Sequence, residues 1–106
     1  MKYLKLKVSN SDIKNGEKSN PQNCAIAKSL KRNKDMKVTG VSVFHNVCII
    51  RKEVKGKTQT YRAQLPQGAQ DFVSKFDHGF AVNPFSLSLK FVKVSEKQAY
   101  HSLYNS

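Results

Sequence analysis

The chain has 106 residues, 39% of them hydrophobic and 25% charged. That is one domain's worth, too short for a second independent core and too apolar for a wholly disordered chain. Nineteen Lys and Arg against seven Asp and Glu leave +12, well beyond the roughly 2–8 units of an ordinary small soluble domain, which points to an acidic partner, with solubility alone as the plain alternative.

The first segment, residues 2–8, alternates like a strand, with Leu4, Leu6 and Val8 on one face and Tyr3, Lys5 and Lys7 on the other. The same Lys spacing interrupts any apolar run after Met1, so this is not a signal peptide. Nowhere does an apolar run approach the length of a membrane helix, and the expected location is the cytoplasm. Residues 9–23 are rich in Ser, Asn, Asp, Gly and Pro and read as a loop, with at most a turn at residues 12–15. Asn20 before Pro21 suits a helix start, and residues 22–33 read as a helix. Its apolar stripe is Cys24, Ile26, Ala27 and Leu30, with Lys28, Lys31 and Arg32 on the other side.

Strands follow at residues 38–44 and 47–54, joined at His45-Asn46, and at residues 58–65 after a turn at Lys55-Gly56-Lys57. They read as an antiparallel meander. Pro66 ends it and opens a helix whose stripe, Ala69, Phe72, Val73 and Phe76, is the clearest in the chain. Gly79 is placed to end that helix in a left-handed conformation. Residues 85–94 read as a final strand with Phe85, Leu87, Leu89 and Phe91 inward and Ser86, Ser88 and Lys90 outward. Residues 95–106 form a tail, a short helix or a frayed end. The expected fold is a single α+β domain over residues 1–94, in the order β-α-β-β-β-α-β. It has an antiparallel or mixed sheet with the two helices packed on one face.

Several short pieces resemble a family of small uncharacterised proteins of tailed bacteriophages. They are Cys24-Ala25-Ile26-Ala27, Leu65-Pro66 with Ala69 and Phe72, Phe76-Asp77-His78-Gly79 and Pro84-Phe85-Ser86-Leu87. Ala25 stands where that pattern has Pro. The matching residues are mainly core, turn and cap positions, so the resemblance implies an origin, and with it the cytoplasm of a bacterial host, but no mechanism.

The charge is unevenly spread. Residues 1–62 hold fifteen basic and four acidic residues, net +11, while residues 63–106 hold four and three, net +1. Two basic surfaces follow, the first expected to carry the binding and the second, through Lys5, Lys7 and Arg62, to add to it. One joins the outer face of the first helix, Lys28, Lys31, Arg32 and Lys34, to the hairpin residues Arg51, Lys52, Lys55 and Lys57. The other is the sheet face away from the helices, where Lys5, Lys7, Arg62 and Lys90 project with Tyr3, Thr58, Thr60, Ser86 and Ser88. Lys beside small hydroxyls suits phosphate contacts, which position a nucleic acid without reading it. Few aromatics are free for base stacking, Tyr3 first and Phe44 second, so a stacking platform for single strands is not the expectation.

The residues that could carry chemistry are sparse. His45 and Cys48 are three apart with Cys24 as a third soft ligand, and His78 and His101 are in reserve. A zinc site usually has tighter paired spacing, and both thiols lie on apolar stripes, so they read as small buried hydrophobes. Two cysteines are also too few for a disulfide scaffold. Asp77-His78-Gly79 reads as a helix cap and turn. No nucleophile motif, phosphate-cradling loop or carboxylate pair is present, so neither an enzyme nor a cofactor is expected. The expected activity is binding of nucleic acid or another polyanion, with little sequence readout. The alternative is a host-takeover or anti-defence protein that docks on and inhibits an acidic host protein surface. The oligomeric state is not legible in the sequence.

Overall fold

Residues 3–33 and 36–99 are described in the computed structural model. Strand β1 (Tyr3–Val8) is followed by helices α1 (Asn10–Asn15) and α2 (Ala25–Arg32). Strands β2 (Val38–Val43), β3 (Val47–Val54) and β4 (Lys57–Gln64) lead to helix α3 (Gln67–Asp77) and then to β5 (Phe85–Lys90) and β6 (Val92–Val94). Residues 96–99 form a further helical turn, α4. The fold is α+β, with a radius of gyration of 13.2 Å, the size of one packed domain.

The strands form two antiparallel sheets. One is the meander extended by a fourth strand, in the order β2-β3-β4-β6; the other is a two-stranded ribbon of β1 and β5. The final strand expected over residues 85–94 is therefore broken at Phe91, and its two halves pair with different partners. Up to Phe91 the alternation is strict and feeds the core; beyond it Val92, Lys93 and Val94 lie along β4, with Val92 and Val94 opposite Arg62 and Thr60. Phe91 is buried at the corner. Strands that switch sheets at such a corner are a usual way to close a small β core.

One core cluster unites both sheets and two helices. It joins Leu6, Val8, Leu87 and Leu89 of the ribbon, Val41, Val43, Cys48, Ile50 and Ala63 of the meander, and Ile26, Leu30, Phe72 and Phe76 of α2 and α3. Phe72 also packs on Phe85, ring centroids 4.6 Å apart. The other face of the four-stranded sheet is covered as well: Val47 and Ile49 point that way and are fully buried. From that face Arg62 Nη1 donates to the carbonyls of Gln98 and Ala99 in α4.

Local chemistry sets the helix ends. In place of the expected turn at residues 12–15 there is a helix, α1, held by a capping box: the Ser9 hydroxyl accepts from Asp12 N–H and the Asp12 carboxylate accepts from Ser9 N–H. Helix α2 begins at Ala25, later than expected, because Asn20 first organises a turn. Its Oδ1 accepts from Gln22 N–H and its carbonyl from Cys24 N–H. Helix α3 ends as expected. Gly79 has φ +81°, Phe80 N–H donates to Lys75 O and Gly79 N–H to Phe76 O, which is the Schellman arrangement. At the β3–β4 turn Lys55 and Gly56 both have positive φ, as a two-residue type I′ hairpin requires.

Candidate functional site

The ribbon's outer face is built by simple alternation. Leu4, Leu6 and Val8 of β1 face inward, so Tyr3, Lys5 and Lys7 face out. On β5 the same rule turns Ser86, Ser88 and Lys90 out. The antiparallel register then places Tyr3 across from Lys90, Lys5 across from Ser88 and Lys7 across from Ser86. Neither strand contains an acidic residue. The result is a surface of three Lys, two Ser and one Tyr. Tyr3 is 67% exposed, and Lys90 Nζ stands 6.0 Å from its ring centre.

This face runs into a groove of about 520 Å³ between the two sheets, with Tyr3, Ser88 and Lys90 on one wall. The other wall carries Arg62, Gln64, Val92 and Val94, and Leu65 and Pro66 complete the lining. At the opposite end, Arg32 Nη2 donates to the carbonyl of Lys7, bringing the end of α2 beside the ribbon.

The expected basic residues are not equivalent in the structure. Lys5, Lys7, Lys31, Lys55 and Lys57 are exposed, and Lys28 and Lys52 are half-buried; Lys34 lies outside the described residues. Lys31 Nζ donates to Asn23 Oδ1. All three arginines hold the fold together. Arg32 pairs with buried Asp12 at 2.6 Å. Arg51 grips Glu96 through Nε and Nη2, at 2.8 and 3.2 Å, and Glu96 also accepts the Thr60 hydroxyl. Arg62 holds α4 as described above. Thr60, expected on an open face, is buried under this network. Strand alternation also sends Arg51 and Lys52 to opposite faces of the meander, which divides the helix-and-hairpin surface.

A second concavity, about 370 Å³, lies between the start of α2 and the end of α3. Its lining includes Cys24, His45, Asp77 and His78, which the sequence places in three separate segments. Asp77 and His78 are each engaged by backbone groups. Asp77 Oδ1 accepts Ser19 N–H and His78 Nδ1 lies 2.7 Å from Ser74 O. Burial pushes the Cys24 thiol up despite N–H groups of Ala27 and Ile26 aimed at it, and burial pushes Cys48 up further, so both sulfurs are neutral. Both are free thiols in the core. Among the described residues no three His, Cys, Asp or Glu stand together as a metal site.

Among the described residues no helix is long and apolar enough to cross a membrane. Compared with known proteins, the chain matches no family model, no curated protein and no solved structure.

Proposed function

We propose that this chain binds nucleic acid through phosphate contacts on the outer face of the β1–β5 ribbon, with little readout of sequence. The observation that carries this reading is the register itself. It gathers Lys5, Lys7 and Lys90 with Ser86 and Ser88 on one exposed face whose strands contain no acid. Ammonium groups supply the neutralising charge, and hydroxyls and flexible Lys stems adapt to phosphate oxygens without reading base edges. Arg32, whose Nη2 donates to the Lys7 carbonyl, borders the face at that end. Lys28, Lys52, Lys55 and Lys57 add to the field that draws in a polyanion. A phage origin, as the resemblance implies, suits a small chain of this kind but does not carry the reading.

The test is a titration of generic DNA and RNA with the chain across a salt series. Affinity should fall steeply and linearly in log–log form, because releasing condensed counterions gains less entropy as the bulk salt rises. No measurable binding at about 50 mM salt, where phosphate contacts are least screened, would exclude the reading. A nuclease-treated pulldown from bacterial lysate addresses the alternative. One stoichiometric acidic protein that survives the nuclease would replace nucleic acid as the partner.

A further inference from the structure

The ribbon face carries a feature that phosphate binding alone does not use. Four large hydrophobics are exposed among the described residues: Tyr3, Val54, Phe80 and Val92. Two of them, Tyr3 at 67% and Val92 at 49%, line the same inter-sheet groove, at the end of the lysine rows. Exposing an aromatic ring and a branched apolar side chain in one concavity, rimmed by Lys90 and Arg62, suits a ligand that is flat and apolar on one part and anionic on the next. Lys90 Nζ, at 6.0 Å from the Tyr3 ring centre, sits at the outer limit of a cation–π contact and leaves the ring able to take a better partner.

We propose that the groove takes an unstacked base of a single-stranded nucleic acid, stacked on Tyr3, with the flanking phosphates on Lys5, Lys7 and Lys90. This rests on the ribbon being the phosphate-binding face. A duplex keeps the faces of its bases inside its own stack and has none to offer Tyr3; a single strand does. The wall opposite Tyr3 carries Val92 and Val94, apolar surfaces for the other face of a base, beside Arg62 and Gln64. Lys5 and Lys7 lie two residues apart on β1, about 7 Å along the strand, and with Ser88 and Ser86 across from them lead the backbone from the groove along the face. DNA and RNA share this chemistry, and the 2′-hydroxyl would tell them apart.

The experiment is fluorescence anisotropy with labelled DNA and RNA oligonucleotides of about 15 nucleotides, single-stranded and duplex, at two salt concentrations. The wild type is compared with Tyr3→Phe and Tyr3→Ala, each checked for unchanged far-UV circular dichroism. The wild type should prefer single strands over duplex by about tenfold or more. Tyr3→Ala should weaken single-strand binding by about 5- to 150-fold, the loss of one stacked base. Tyr3→Phe should retain it, and neither variant should change duplex binding or the salt slope. Duplex binding as tight as single-strand binding, or an equal loss on both for Tyr3→Ala, overturns the stacking proposal and leaves the phosphate reading intact. Failure of the wild type to bind any oligonucleotide at about 50 mM salt overturns both.

Discussion

Asp12 is a buried carboxylate at the start of a six-residue helix, a costly place for a charge. Burial raises its proton affinity, but the Arg32 guanidinium and the Ser9 N–H and hydroxyl outweigh that and hold it below the usual carboxylate range. Because its folded-state value is depressed, Asp12 stabilises the fold well above about pH 4, and this contribution is lost as pH falls through the folded-state value. Urea unfolding from pH 7 to pH 3 should show that acid limb, and Asp12→Asn should flatten it. Ser9→Ala, which removes the reciprocal cap, should cost about 1 kcal/mol in the same measurement. The thiols give a second readout. Cys48 has no exposed surface and Cys24 almost none, so a thiol reagent should label the native chain only at the rate at which it opens, and both cysteines at once in urea. Rapid labelling of Cys48 under native conditions would contradict the packing described.

Two glycines in and after α3 separate local conformation from packing. Gly79 has φ +81°, and an added Cβ would meet only the flexible end of Lys18 at 3.2 Å, so Gly79→Ala should cost about 1–2 kcal/mol through backbone strain alone. Gly68 lies in the helix with open space around it, and Gly68→Ala should stabilise by about 0.5–1 kcal/mol. Thermal melts of the two variants should therefore shift in opposite directions. Elements of this local kind were the legible ones. The α3 stripe, the Gly79 stop, the Lys55-Gly56 turn and the alternation in β1 and β5 each follow from neighbours within a few residues. Helix α1 was also written locally, as Ser9 and Asp12 three apart, but the polar run around it reads as loop. The break at Phe91 was not legible. Whether Val92 continues along β1 or crosses to β4 is decided by pairing with distant strands, and residue order alone carries no sign of it.

For the molecule as a whole, the sequence divides the charge at residue 62, and the fold undoes that division. Pairing β1 with β5 sets Lys90, from the near-neutral half, directly across from Tyr3. Arg51, from the basic half, is bound to Glu96 from the other. The candidate face was half visible in sequence: alternation names Lys5, Lys7, Lys90, Ser86 and Ser88, but one continuous sheet would have put Thr60 beside them, and the structure buries it. The arginines were misleading for the same reason, since their long-range partners do not show in the chain order. The ribbon account makes a whole-surface prediction: which lysines matter depends on where they sit and not on how many are removed. The direct measurement compares two charge-matched variants, Lys5→Gln/Lys7→Gln/Lys90→Gln and Lys28→Gln/Lys55→Gln/Lys57→Gln, in nucleic-acid titrations across a salt series. The ribbon variant should lose about 2 to 3 units of the log–log salt slope and bind markedly more weakly, while the helix-and-hairpin variant keeps the wild-type slope. Equal losses in both variants, or a loss confined to the helix-and-hairpin variant, would contradict the ribbon as the binding face.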